Sequence, residues 1–283
     1  MRILITGSGG MLARYVVAAA ERQDHDVTAP THAELDVCDR DAIDAALAAK
    51  RPDAVVNCAA WTDVDGAESH EPEALELNGG APGLLAAAAS ARGAQLVHVS
   101  SDYVFDGESE RPYLESDQAA PRSAYGRTKL AGEHAVLAAG SEHAIVRTAW
   151  LFGAGGRNFV TTMLELAGAG REEVSVVTDQ VGSPTFAGQL ADALVEVAER
   201  RVAGIQHIAG AGQCSWNEFA REIFSQAGVH CAVRPVLSSE FPRPAPRPAW
   251  SVLASERAEV PRLAPWRGGL AAYLAEVREK ASR

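Results

Sequence analysis

Tyr125 and Lys129 stand four positions apart, the spacing that puts two side chains on one helical face a single turn from each other. A phenol ordinarily titrates near about 10, and a neighbouring ammonium stabilises the phenolate and lowers that value. The pair therefore predicts a general acid that works at neutral pH, with Lys129 tuning Tyr125. Further upstream an apolar run ends in Ser100, Ser101, Asp102 and Tyr103. Ser101 is the candidate for a hydrogen bond to a substrate oxygen in the same place.

A second chemical signal lies at the start of the chain. Gly7, Ser8, Gly9, Gly10, Met11, Leu12 and Ala13 follow the apolar run Arg2 to Thr6 directly and lead into a helical pattern, the setting of a dinucleotide-binding turn. Gly7 permits a sharp turn, Gly10 lets backbone approach a pyrophosphate, and Ala13 keeps the helix close to the sheet. The helix N-terminus at Met11 and Leu12 adds donors and partial positive charge. At the end of the next strand, Thr28 to His32 offers neither the carboxylate expected for the ribose of NAD nor an arginine for the phosphate of NADP. NADPH is therefore suggested only by the lack of a repelling charge, and NADH stays open. Asp36 and its neighbour Val37 are expected at the adenine edge, the alternative for Asp36 being a place ahead of the helix at Asp39. Ala59 and Ala60 follow Asn57 and Cys58 at the end of a third apolar run. Small residues there let the backbone pass a cofactor, or they serve packing alone. Tyr125 and Lys129 count as cofactor-binding candidates too, because Lys129 can reach the nicotinamide ribose.

The elements that must position these groups read as an α/β fold. Short β-branched runs at Arg2–Thr6, Asp26–Ala29, Ala54–Asn57, Gln95–Ser100 and Ala144–Arg147 alternate with helical stretches at Met11–Arg22, Asp39–Lys50, Pro72–Ala91 and Ser123–Ala138. Right-handed crossovers turn this alternation into a doubly wound parallel sheet of Rossmann type. Residues 1–150 form the expected dinucleotide-binding domain, completed by segments around 184–210, and residues 151–283 mainly a smaller C-terminal α/β substrate lobe. Within that lobe a helix is expected from Asn158, a strand at Val174–Val177, a helix starting at Pro184, and a strand at Ile205–Ile208 that could return to the main sheet. Ser215 is placed to cap a helix to Ala227, and a last helix spans roughly Gly268 to Ala281. Phe241 to Pro248 holds four prolines and two arginines, too proline-dense for regular structure.

Composition narrows the function class. The chain has 283 residues and a formal net charge of -11, which argues against a nucleic-acid partner because phosphate binding needs clustered positive charge. No apolar run approaches the roughly 20 residues that span a bilayer, so no membrane partner is expected and the expected location is the cytoplasm. Cys38, Cys58, Cys214 and Cys231 lack paired zinc-ligand spacing. They read as buried thiols.

Taken together, these residues resemble the extended short-chain dehydrogenase/reductases and, within them, the dTDP-4-dehydrorhamnose reductases. The narrower likeness rests on Ser100 to Gly107, Tyr125 to Leu130, Arg147 to Gly153, Asn158-Phe159, Asp179 to Thr185, and Arg247-Pro248 followed by Ser251 and Leu253. The resemblance covers nearly the whole chain. It implies reduction by NADPH, or NADH, of the C4 ketone of a dTDP-linked 4-keto-6-deoxy sugar, dTDP-4-dehydrorhamnose, to dTDP-L-rhamnose. In that scheme Tyr125 protonates the developing alkoxide, Lys129 tunes Tyr125 and holds the ribose, and Ser101 polarises the carbonyl. The resemblance also implies that Asp102, Tyr103 and Trp150 contact the sugar, and makes Asn158 and Arg247 candidates for the nucleotide diphosphate. The shared fold leaves two alternatives: a nucleotide-sugar epimerase or dehydratase, and a non-catalytic regulatory subunit. Some family members use Mg2+ at a dimer contact; no carboxylate cluster compels one here, no metal site is assigned, and monomer and homodimer both stay open.

Overall fold

The computed structural model describes residues 1–281. Its first half alternates strands Arg2–Thr6 (β1), Asp26–Thr28 (β2), Ala54–Asn57 (β3), Gln95–Ser101 (β4) and Ala144–Thr148 (β5) with helices Met11–Arg22 (α1), Arg40–Lys50 (α2), Glu71–Leu75 (α3), Ala81–Ser90 (α4) and Ala124–Ala139 (α5). The second half runs through Leu151–Phe152 (β6), Phe159–Gly168 (α6), Glu173–Val177 (β7), Val181–Gly182 (β8), Thr185–Phe186 (β9) and Ala187–Glu199 (α7). It ends with Gly204–His207 (β10), Cys214–Ser215 (β11), Trp216–Ala227 (α8), Ala232–Val236 (β12) and Trp266–Ala281 (α9).

The central sheet has six strands in the order β10-β5-β4-β3-β1-β2, and every neighbouring pair is parallel. Strand order reverses direction at β1, so the crevice above the C-terminal ends of β1 and β3 is the place where such sheets bind ligands. The period of two along β1 divides its side chains between layers. Ile3 and Ile5 pack with Val16 of α1 and Leu190 and Leu194 of α7, whereas Leu4 packs with Leu47, Leu85 and Leu96 on the other face. The expected return of a late strand is met: β10 pairs with β5, Ile205 opposite Ile145. Segments after Trp150 therefore lie in the main sheet and its helical cover as well as in the remaining layer. That layer packs α6, α8 and α9 around Phe152, Phe219, Phe224, Trp266 and Tyr273.

Two expected helices differ in detail. The stretch from Pro72 to Ala91 is split into α3, a π turn at Glu76–Gly80 and α4. The wide turn holds buried Asn78, whose carboxamide accepts from Trp61 N at 2.8 Å and donates to Thr128 Oγ1 of α5 at 3.1 Å. Gly132 lets this turn come close, since a Cβ there would lie 2.1 Å from the Asn78 carbonyl oxygen. Likewise the helix expected from Pro184 starts only at Ala187, because Thr185 and Phe186 first pair with Leu151 and Phe152. Caps were better signalled: Asp39, Ser123, Asn158 and Ser215 each accept a backbone N–H at the start of their helices. Among the described residues no helix is long and apolar enough to cross a membrane.

Candidate active site

The glycine turn has the shape its sequence demands. Gly7 adopts a φ of 73°, and a Cβ there would sit 2.7 Å from Ala59 N, so the turn after β1 and the turn after β3 touch backbone to backbone. Gly10 N donates to Gly7 O at 2.8 Å and starts α1. That helix has no side-chain cap and no acidic residue in its first turn, which leaves its N-terminal amides and partial positive charge facing the crevice. Behind this edge Asn57 Oδ1 accepts from Thr6 Oγ1 at 2.6 Å and from Ala59 N at 3.1 Å, fixing the Ala59–Ala60 turn. Leu12 and Ala13 are core residues under the turn, and Met11 lies against Gly156. The Asp36 carboxylate accepts from Cys38 N at 2.9 Å, shaping the approach to α2. The Val37 side chain is buried in the core, so only its backbone is left for a ligand. The arrangement fits a dinucleotide.

Tyr125 and Lys129 project from α5 toward the end of β4. Lys129 is 2% exposed and its Nζ donates to the Val99 carbonyl at 2.7 Å. Burial pulls this ammonium down to about 8, with Glu133 and Cys58 acting in the opposite sense. The Tyr125 ring meets the Tyr103 ring edge-on at 5.4 Å. Burial pushes the Tyr125 phenol up to about 12, with Ser101 pulling it down and Asp102 pushing it up. A high phenol value leaves Tyr125 protonated at neutral pH, the form a proton donor needs. Buried His98 flanks the same seam; its Nδ1 meets Asn57 Nδ2 at 3.0 Å, and burial together with Lys129 keeps it neutral.

Ser101 Oγ donates to Asp102 Oδ1 at 2.9 Å and accepts from Tyr103 N at 3.3 Å. Asp102 is 3% exposed, its Oδ2 has no partner, and burial raises its carboxyl to about 6 despite Ser251 and Ser101 beside it.

The remaining predicted residues, Trp150, Arg247 and Asn158, each have partners within the chain. Trp150 has a φ of 46° and lies flat on Trp216, with ring centroids 3.4 Å apart and planes 3° apart. Gly182 makes the seat, because a Cβ there would come within 2.3 Å of the Trp150 ring. Arg247 Nη2 donates to Asp65 Oδ2 at 2.8 Å, and both groups act on the Tyr103 phenol, which places the ion pair beside that ring. Arg247 is thus already paired with a carboxylate. The Asn158 Oδ1 caps α6 through Thr161 N, and its Nδ2 donates to Gly153 O at 2.7 Å and Gly156 O at 3.1 Å. Both amide hydrogens thus have partners within the chain. Asp65, Glu133 and Trp216 were not singled out from the sequence, and none has a local motif that could have marked it.

Comparison with known proteins follows the same lines as this geometry. The profile of the family described as "RmlD substrate binding domain" matches residues 1–279. A Mycobacterium tuberculosis protein named dTDP-4-dehydrorhamnose reductase is 46% identical over 284 residues, covering 97% of this chain and 92% of its own length. A Streptomyces antibioticus protein named probable dTDP-4,6-dihydroxy-2-methyloxan-3-one 4-ketoreductase is 48% identical over 276 residues, covering 95% and 93%. The crystal structure of dTDP-4-dehydrorhamnose reductase from Bacillus anthracis in complex with NADP superposes with a TM-score of 0.94 at 35% identity, covering 97% and 99%.

Proposed function

Because this chain belongs to the RmlD substrate-binding-domain family and is an NAD(P)-dependent oxidoreductase, we propose that it reduces the C4 ketone of a dTDP-linked 4-keto-6-deoxy sugar, dTDP-4-dehydrorhamnose, to dTDP-L-rhamnose. What supports the reading is that the uncapped glycine turn follows β1 and Ser101 ends β4 on the same C-terminal rim of one parallel sheet, with Lys129 of α5 bonded to β4 at Val99. NADPH is the proposed coenzyme and the cytoplasm the proposed location.

When bound, the reduced nicotinamide supplies the hydride. The chain's own residues do the rest. Gly7, Gly10, Met11 and Ala59 hold the coenzyme, with Lys129 beside its ribose. Tyr125, kept neutral by burial, donates its proton to the oxygen that gains charge at C4. Ser101 swings its hydroxyl from Asp102 Oδ1 to that same oxygen and stabilises the developing alkoxide. Asp102 presents its unpartnered Oδ2 to a sugar hydroxyl, and Trp150 and Tyr103 give the ring two flat walls. Arg247 exchanges Asp65 for the diphosphate.

Purified protein supplied with NADPH and dTDP-4-dehydrorhamnose is expected to oxidise the coenzyme, and to do nothing without the sugar. A panel of other dTDP-4-keto sugars tests the substrate assignment. Faster turnover of another sugar would move it, and coenzyme oxidation with none of them would overturn the reading.

A further inference from the structure

Glu133 lies one turn beyond Lys129 on the same face of α5, and nothing in the proposed reaction uses it. It is 1% exposed and paired with Arg147 of β5, itself 3% exposed. The pairing is a two-pronged fork, Nε to Oε1 at 2.9 Å and Nη2 to Oε2 at 2.6 Å. Ser100 Oγ donates to Oε1 at 2.6 Å. Arg147 continues to His207 Nε2 at 3.4 Å and lies over the Phe105 ring at 5.0 Å. A buried pair of this kind is poor evidence of stability, since apolar side chains of similar size often serve as well. A role in the site accounts for its cost.

The contacts follow one another along the seam. Lys129 holds Val99, Glu133 holds Ser100, and Ser101 is the next residue of β4. We infer that Glu133, locked by Arg147 and Ser100, is a positioning residue that fixes α5 on β4 and serves as the buried counter-charge of Lys129. The inference rests on the reading of Lys129 as a working partner of Tyr125. The groups acting on Lys129 are Glu133 from α5, Cys58 from the β3 turn and His98 from β4, with Arg147 of β5 bound behind Glu133; of these Glu133 is the anion. Without it, the larger of the two influences opposing burial of the ammonium is gone.

The test does not need the substrate. The chain has three lysines, Lys50, Lys129 and Lys280, so the Cε signal of Lys129 can be assigned and titrated by NMR in the full-length protein. In E133Q the Lys129 midpoint is expected to fall by roughly one pH unit, the scale of one lost neighbouring charge, and the alkaline limb of kcat/KM to move with it. A merely structural Glu133 would lower the melting temperature and leave the midpoint in place, and that result overturns the inference. Should E133Q fail to fold, E133L/R147M removes the pair without stranding a buried charge, and the same downward shift is expected. A shifted midpoint in a protein that turns over no keto sugar sinks the proposed function and spares this inference. An unshifted midpoint in an active enzyme does the reverse.

Discussion

The β4–α5 seam and the wall around Trp150 both face the candidate site, yet they are built differently. In the seam Lys129, Glu133 and Ser101 are 2%, 1% and 7% exposed, and they stand on one helix and one strand joined by short hydrogen bonds. In the wall, Trp150 is held in a left-handed backbone conformation by a ring from α8 and a glycine from β8. Arg247 sits in a proline-rich loop, paired with a carboxylate 182 positions away. The difference follows from what each region must do. Proton transfer loses rate steeply when reacting groups move by an ångström, so its groups are fixed by helical spacing and strand register. Recognition tolerates groups set by loops, which can change one ligand for another without disturbing the sheet.

If the seam alone carries the chemistry, Tyr125→Phe should give the largest effect, a loss in kcat of about 10³-fold with KM almost unchanged, as expected when a general acid is removed. A comparable rise in KM would place Tyr125 in the wall instead. Gly7→Ala comes next. The added Cβ meets Ala59 N and the positive φ is unfavourable for alanine, a strain of roughly 1–3 kcal/mol. Calorimetry should show weaker coenzyme binding while the affinity for the sugar nucleotide stays within about twofold of wild type.

The pH dependence separates the regions further. Burial lowers Lys129 from the ordinary 10.5 to about 8, so its charge is lost as pH rises through about 8 and kcat/KM should fall above that point. Stability should move the other way: between about 8 and 10.5 the unfolded chain binds the proton that the folded chain has released, and this group's contribution to folding improves as pH rises. Activity profiles and thermal melts over that range check both signs. An alkaline limb near 10 would show that Lys129 is not held in the seam as described.

What could be read from the sequence divides along the same line. The glycine turn, the strand endings and the Tyr125–Lys129 spacing were legible because they are local patterns tied to helix and strand periods. The upward shift of the Tyr125 phenol was not, since spacing reveals neither depth of burial nor that Val99 would accept from the ammonium. At Asn158 the spacing could not show that a helix cap draws on the same amide that a ligand contact would use. Asp65 and Trp216 were invisible because each meets its partner only after distant segments fold together.

Trp216 tests whether the wall has its own integrity. An aromatic pair adds roughly 0.5–1.5 kcal/mol beyond simple burial, so Trp216→Leu should let Trp150 drift and raise the KM for the sugar nucleotide by up to about tenfold, with coenzyme KM and the alkaline limb unchanged. Two indoles stacked at 3.4 Å should also give an exciton couplet in circular dichroism, lost in the variant. A couplet that survives would mean the stack described here is not the one in solution.

The smallest effect, and the sharpest, is expected at Asp65. Its carboxylate lies below the usual range through Arg247, the Ala245 N–H and Arg243, although burial works against this. Both partners of the ion pair are only partly buried, 22% and 26% exposed, so solvent screens the attraction and the pair is worth about 1 kcal/mol or less. Asp65→Asn keeps the shape and removes the competing charge. If Arg247 must leave Asp65 to receive the diphosphate, the variant should bind the sugar nucleotide a few-fold more tightly, within the range set by that energy, while Arg247→Ala binds it more weakly. Tighter binding that disappears in the double variant assigns the gain to the freed arginine. Weaker binding in Asp65→Asn alone would mean that the loop must be held down for the wall to form, and that Asp65 builds the site instead of guarding it.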